Sequence, residues 1–178
     1  EAAVAEQSKT FGMIISEHEG HDFKWATKTE DRSALWKMRH NAYYAVLASR
    51  TGARAVVTDI CVPISKLALA VEQTSREIAE SAISGPIMGH VGDGNFHAIL
   101  MIDPDNPDEL KTAKALSEKM VERALDMGGT ATGEHGIGIG KLDYMMREHG
   151  QGWAVMGGIK RALDPQDLMN PGKLIRQN

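Results

Sequence analysis

One cysteine, Cys61, stands in 178 residues, so no internal disulfide framework is available and the composition suits a reducing compartment. No apolar run approaches the ~20 residues of a membrane-spanning helix, so no membrane span is expected. No block of lysine and arginine is present, and the charge is mildly acidic, net −4 with a pI near 6.0. Phosphate contacts need clustered cations, so nucleic acid is not expected as a partner. Neither an internal repeat nor a low-complexity linker interrupts the chain, and no secretory leader is visible. The chain opens at Glu1 without a methionine and enters a helical pattern at once, with Val4, Phe11, Ile14 and Ile15 on one face. The expectation is a processed or truncated piece of a longer protein, long enough for one domain with a real core.

The elements that are present alternate in type. A first helix runs to about residue 18 and stops at Gly20, a C-terminal cap, and a short strand follows around residues 22–26. A second helix covers roughly residues 30–49, and RAVVTDICV, residues 54–62, is β-branched enough for a strand. Ser65 is the expected N-cap of a third helix, with Leu67, Val71, Ile78 and Ala82 inward. Strands at 87–91 and 96–102 form a hairpin. A helix then starts at Asn106 as N-cap, with Pro107 at its first position, Glu109 completing a capping box and Gly128 beyond its end. Its stripe is Leu110, Ala113, Met120, Val121 and Ala124. Two short helices broken at Gly150 and a tail, LDPQDLMNPGKLI, complete the chain. This order predicts an α+β fold, a mostly antiparallel sheet with helices packed on one face and a helical C-terminal tail. The mid-chain hairpin argues against a doubly wound parallel sheet.

The hairpin carries the first chemical signal, GHVGDGNFH at residues 89–97. An Asp-Gly pair between strands favours a two-residue turn with positive φ at Asp93 and Gly94. That turn sets Val91 opposite Phe96 and His90 opposite His97, with both imidazoles on one face and near enough to converge on one ion. Taken alone, two such histidines are also consistent with a solvated hairpin rim.

GGTATGEHGIGIGK, residues 128–141, is the second signal. A P-loop would need glycine where His135 stands and Ser or Thr where Leu142 follows the lysine, and the alternating Gly136, Gly138 and Gly140 break the dinucleotide fingerprint. The glycines instead flank Glu134 and His135, and glycine permits close approach of backbone or ligand. A flexible loop with a surface Glu and His is the ordinary alternative. Joined to His90 and His97, Glu134 completes a set of two imidazoles and a carboxylate suited to Zn²⁺ or Mn²⁺. His135 beside it is a candidate base.

Arg39 lies on the second helix between Leu35 and Tyr43. It suits either an internal ion pair, with Asp59 a candidate partner, or bidentate recognition of a substrate carboxylate. His18 and His21 lack the spacing of a helical zinc motif and, with His40 and His149, read as solvated. The ten methionines read as core filler.

With these residues in view, the chain resembles the C-terminal part of the FAD-dependent 2-hydroxy-acid dehydrogenases. That family includes cytochrome-type D-lactate dehydrogenases, the glycolate oxidase flavin subunit and D-2-hydroxyglutarate dehydrogenase. The matching segments are LWKMRHNAYYA, TDICVPISKL, GHVGDGNFH, TGEHGIGIGK and LDPQDLMNPGK, in order between residues 35 and 173. RHNAYYA and TDICVPIS look most like the D-lactate branch.

The resemblance implies a ferredoxin-like cap domain over residues 1–178, lacking the N-terminal FAD-binding domain and the start of the cap. It implies that His90, His97 and Glu134 hold the divalent metal, Zn or Mn, that His135 is the base and that Arg39 binds the substrate carboxylate. Asn170, in the MNPGK match, would touch FAD. Where the D-2-hydroxyglutarate branch has asparagine two places beyond the second metal histidine, this chain has Ile99, which favours a substrate with a small or apolar side chain. The implied partners are a small 2-hydroxy acid and an electron acceptor, whether cytochrome, quinone or electron-transfer flavoprotein, and an exposed sheet edge would suit a homodimer. The implied location is cytoplasmic, or mitochondrial in a eukaryote, with peripheral membrane association as a variant. The isolated piece is expected to be inactive. The competing expectation is a non-catalytic metal-binding or interaction module that keeps the fold, and within the family a glycolate or D-2-hydroxyglutarate enzyme.

Overall fold

The computed structural model describes residues 2–176, which fall into two compact units, Glu1–Ser49 and Arg50–Asn178. The first holds two helices, α1 (Ala2–Glu17) and α2 (Thr29–Ala48), neither of which buries a residue. α1 ends with the Gly20 N–H bonded to Ile15 O at 2.8 Å, but the left-handed residue of this cap is Glu19, φ 60°, and not Gly20. The strand expected at 22–26 does not form, and that segment has no ladder partner. Phe23 instead turns back onto Phe11, ring centroids 5.3 Å apart.

The second unit is built on an antiparallel sheet. Its strands are β1 (Arg54–Val57), β2 (Ile60–Cys61), β3 (Ile87–His90) and β4 (Asn95–Ile102), and β4 runs through the middle. The strand expected at 54–62 is interrupted at Thr58 and Asp59, yet its register on β4 is unbroken: Val57 lies opposite Ile99 and Ile60 opposite Phe96. β3 lines the other edge of β4. A single antiparallel bridge, Cys61 to Thr130, adds a rudimentary outer strand beside β2. The order is therefore the residue-130 segment, β1 with β2, β4, then β3, the split arrangement of a ferredoxin-like sheet.

Two helices fill one face, α3 (Ile64–Ala79) and α4 (Pro107–Asp126). From β4 the even positions Phe96, Ala98, Leu100 and Ile102 join Ala70 and Ile78 of α3 and Ala113, Leu116, Met120, Val121 and Ala124 of α4 in one core. Period-two alternation sends Asn95, His97, Ile99 and Met101 to the opposite face, and these too are buried. Thus α+β with helices on one sheet face is the observed architecture, followed by α5 (Met145–His149) and α6 (Gln151–Leu163), which break at Gly150, φ 53°.

Helix starts differ in detail from expectation. Pro63, not Ser65, holds the N-cap position of α3, and no side chain caps it. Asn106 does cap α4, its Oδ1 accepting from the N–H groups of Asp108 and Glu109 at 3.1 and 3.4 Å. The reciprocal half of the box is absent, because Glu109 accepts from the Asp103 amide at 2.7 Å and makes a two-point ion pair with Arg50. The Asn106 backbone amide donates to Asp103 O at 3.1 Å instead, and only its side-chain Nδ2 reaches Glu109 Oε1, at 3.4 Å. In the stripe, Leu116 is buried and Leu110 stays exposed.

The hairpin differs most. A 3₁₀ turn at Val91–Asp93 replaces the two-residue turn, and only Gly94 has positive φ, 77°. A side chain there would place Cβ 2.0 Å from Val62 O, so glycine serves both the angle and the close approach. In the longer loop His90 pairs with Asn95, and His97 with Met88. The pairing expected between His90 and His97 is therefore wrong by two residues. A slip of two preserves the face, whereas a slip of one would have reversed it. His90 and His97 remain on one face as diagonal neighbours, ring centroids 6.2 Å apart.

Candidate metal and active site

Three separated segments meet on the sheet face opposite α3 and α4. His90 closes β3, His97 sits in β4, and Glu134 and His135 come from the loop after α4. Glu134 lies between the two histidines: Oε1 is 3.2 Å from His97 Nε2 and Oε2 is 3.5 Å from His90 Nε2. One ligand atom from each residue lies within 4.8 Å of the others. The His135 ring stacks on His97, centroids 5.1 Å apart and planes 9° apart.

Asp59, at the interruption between β1 and β2, holds the glycine-rich loop in place. Oδ2 accepts from the amides of His135 and Glu134 at 2.8 and 3.0 Å and from the Thr132 hydroxyl at 2.8 Å, while Oδ1 accepts from Asn95 Nδ2 at 2.9 Å. Burial pushes this carboxyl up. The hydrogen bonds from His135, Asn95, Thr132 and Glu134 outweigh burial and hold it at about 2. Lys141, at the end of the same loop, donates to Asp59 O at 3.4 Å, and burial lowers its ammonium against the pull of Asp59 and Glu148. Gly133 is required by contact: a Cβ there would lie 1.8 Å from Asn95 Nδ2 and 2.9 Å from Asp59 Oδ1.

The donor set fits a divalent cation. His97 Nδ1 lies 3.0 Å from Thr58 O, and a carbonyl accepts only, so Nδ1 carries the proton and Nε2 presents its lone pair to Glu134. Two acceptors facing each other at 3.2 Å repel without a cation or a proton between them. Ligand atoms at ~2.0–2.2 Å from a zinc ion stand about 3.0–3.5 Å from one another; each Glu134 oxygen lies at that spacing from one imidazole, Oε1 from His97 and Oε2 from His90, and the three-residue set needs only a small closure from within 4.8 Å. A second grouping, Asp59, His97 and His135, is also close enough. It fits less well, because Asp59 already accepts four hydrogen bonds and His97 Nδ1 is engaged by Thr58. Asn95 adds an unmet acceptor: both its amide hydrogens are used, by Asp59 and Ile60 O, while its buried Oδ1 has no partner among the described residues.

Two expected site residues remain, Asn170 and Arg39. Asn170 is in the tail, φ 51°, and lines a cavity of about 470 Å³ with Gly138, Lys160, Leu163, Met169 and Leu174. The tail is tied to the glycine-rich loop by Leu174 N–H to Gly138 O at 3.1 Å, and to α6 by Trp153 Nε1–H to Leu174 O at 2.8 Å. Arg39 belongs to α2 in the first unit. The structure thus brings four of the six expected site residues together in the second unit. Motif reading missed Thr58, Asn95, Thr132 and Gly133 as parts of the site. The available signal was a polar pair, Thr58 and Asp59, flanked by the apolar residues 55–57 and 60–62.

Fold and cluster together define a class: an α+β domain that carries a His₂-carboxylate group with a further histidine beside it on the face of a ferredoxin-like sheet opposite its two helices. Residues 1–174 match the family described as FAD linked oxidases, C-terminal domain, and the chain belongs to that family. It is 46% identical over 174 residues to the probable mitochondrial D-lactate dehydrogenase of Danio rerio, covering 97% of this chain and 35% of the relative. It is 43% identical over 176 residues to the mitochondrial D-lactate dehydrogenase [cytochrome] of Arabidopsis thaliana, covering 98% of this chain and 31% of the relative. With glycolate oxidase subunit GlcD of Escherichia coli (strain K12) the identity is 30% over 176 residues, covering 98% and 35%. The chain spans about a third of the length of these curated relatives. No helix among the described residues is long and apolar enough to cross a membrane.

Proposed function

We propose that this chain is the C-terminal part of an FAD-dependent dehydrogenase that oxidises a D-2-hydroxy acid of the D-lactate type to the 2-oxo acid. The observation that carries the reading is the convergence of His90, His97, Glu134 and His135 on one sheet face from three segments. The relatives named D-lactate dehydrogenase support the substrate class. Ile99 supports it further: it is buried on the same face of β4 two residues beyond His97, and its side chain offers no hydrogen-bond donor to a second carboxylate.

His90, His97 and Glu134 would hold a divalent metal, Zn or Mn. When bound, the cation supplies Lewis acidity at the substrate's α-hydroxyl, and FAD supplies the acceptor for the α-hydrogen and its electron pair. His135 takes the hydroxyl proton on Nε2, the ring nitrogen 3.7 Å from Glu134 Oε1. Stacking on His97 and the hydrogen bond that the His135 backbone N–H donates to Asp59 Oδ2 fix that ring's position. Arg39 pairs with the substrate carboxylate, and Asn170 contacts the flavin from the tail. The hydroxyl proton goes to His135 and the substrate's α-carbon would give up its hydrogen with the electron pair to FAD, so C–OH becomes C=O by loss of one proton and one hydride. The FAD-binding part of the protein lies outside this chain, and a mitochondrial or cytoplasmic location accords with the reading.

The test is made on the full-length protein, with an artificial electron acceptor and D-lactate, glycolate and D-2-hydroxyglutarate as substrates. D-lactate is expected to give the highest kcat/KM, with about one Zn or Mn per chain that a His90→Ala, His97→Ala double variant loses along with activity. Arg39→Ala is expected to cost ~10²-fold in kcat/KM, as loss of a charge-assisted pair does. A protein that holds its metal but turns over no 2-hydroxy acid is instead a binding module.

A further inference from the structure

Thr58 lies at the break between β1 and β2, with Ala98 as its register partner on β4. The Thr58 amide donates to Ala98 O at 3.0 Å, one half of an ordinary antiparallel pair. The return bond is displaced: Ala98 N–H donates to the Thr58 hydroxyl at 2.8 Å. The Thr58 carbonyl, released from the ladder, lies 3.0 Å from His97 Nδ1 and accepts its hydrogen. That bond leaves Nε2 as the ring's lone-pair nitrogen, 3.2 Å from Glu134 Oε1.

We propose that Thr58 is a positioning residue of the metal site. Its hydroxyl substitutes for its own carbonyl in the strand ladder, so that the carbonyl is available to hold His97 in the tautomer and orientation that present Nε2 as a ligand. The inference deepens the reading of His97 as a metal ligand and rests on it. Threonine suits the place for two reasons. β-Branching fits the strand, and a γ-hydroxyl is the one part of the side chain that can accept the Ala98 amide. Valine has nearly the same shape and no acceptor. With valine at 58 the buried Ala98 amide reclaims the carbonyl, and His97 Nδ1 is left facing only Asp59 Oδ1, 3.6 Å away and already bonded to Asn95, in a region closed to water, since Thr58 and His97 are 2% and 5% exposed. The same break delivers Asp59 to the glycine-rich loop, so one local departure from the ladder serves both the imidazole and the carboxylate side of the site.

The experiment compares the full-length wild type with Thr58→Val, Thr58→Ser and Thr74→Val, measuring Zn²⁺ affinity by competition with a chromophoric chelator. Thr74 carries an equally buried hydroxyl, on α3 and bonded to Ala70 O and Arg123, and controls for general loss of stability. Thr58→Val is expected to weaken Zn²⁺ binding about 10–100-fold, the usual effect of losing the group that orients a ligand histidine, while Thr58→Ser stays near wild type and Thr74→Val is unchanged. Wild type that binds no zinc overturns both the metal reading and this inference. Wild type and Thr58→Val binding equally overturns this inference alone, and an equal loss in Thr74→Val does the same. A readout that needs no variant is the ¹⁵N spectrum of histidine-labelled, metal-free wild type at alkaline pH. It is expected to show the His97 proton on Nδ1, and a proton on Nε2 overturns the inference.

Discussion

The backbone amide of His135 donates a 2.8 Å hydrogen bond to Oδ2 of Asp59, 76 residues earlier in the chain. Together with the Glu134 amide and the Thr132 hydroxyl on the same oxygen, it fastens a glycine-rich loop to the sheet. The loop's position, and so that of the carboxylate and imidazole it carries, depends on a charge buried in the interrupted strand.

Asp59→Asn tests that dependence. An asparagine either turns its NH₂ toward the Glu134 and His135 amides or sets it against the Asn95 Nδ2 donor, losing an acceptor in either case. Hydrogen bonds to a charged acceptor contribute roughly 1.5–3 kcal/mol each. The expected outcome is a stability loss of about 2–3 kcal/mol by urea unfolding with unchanged m-value, and a weaker metal complex.

Gly133→Ala and Gly140→Ala separate contact from loop flexibility. At 133 a Cβ would lie 1.8 Å from Asn95 Nδ2, and the buried amide cannot withdraw without giving up its bonds to Asp59 and Ile60. At 140 nothing lies within 4 Å. Thermal melts are expected to show Gly133→Ala destabilised by about 1–3 kcal/mol and Gly140→Ala within about 0.5 kcal/mol of wild type.

Acid stability is expected to depend on Asp164. The Lys160 side chain first, and then the Met169 and Leu168 amides, hold its carboxyl at about 2. In the unfolded chain the value is ~3.9. The folded value is the lower one, so this contribution is complete above the unfolded value and is lost as pH falls through about 2. Melting temperature measured between pH ~5 and ~2 is expected to fall less steeply in Asp164→Asn than in wild type. Parallel curves would show that Asp164 is not among the groups that set the acid limb.

The two helix starts give contrasting outcomes. Asn106→Ala removes an acceptor for the Asp108 and Glu109 amides and is expected to cost ~1 kcal/mol. Ser65→Ala is expected to change stability by less than about 0.5 kcal/mol, because Pro63 occupies the N-cap of α3 and no side chain caps it. Urea unfolding of both variants side by side checks the pair.

Local pattern alone determined a good deal of this molecule. The helices α2 and α4, the Asn106 cap, the break at Gly150 and the antiparallel pairing of β3 with β4 follow from periodicity, capping chemistry and turn residues, which act over a few neighbours. That His90 and His97 share a face also follows locally, since a register slip of two residues leaves side-chain parity intact. The tertiary structure decided what those rules do not reach. Whether Glu109 closes its capping box depended on Arg50, 59 residues away, and the turn at Val91–Asp93 on Gly94 packing against Val62 O. The interruption at Thr58 and Asp59 depended on a hydroxyl entering the ladder and on a loop some seventy residues later meeting the released groups. Hydrogen-bond acceptors are assigned by competition among all donors that the folded chain brings within reach, and that set does not exist until the segments have met.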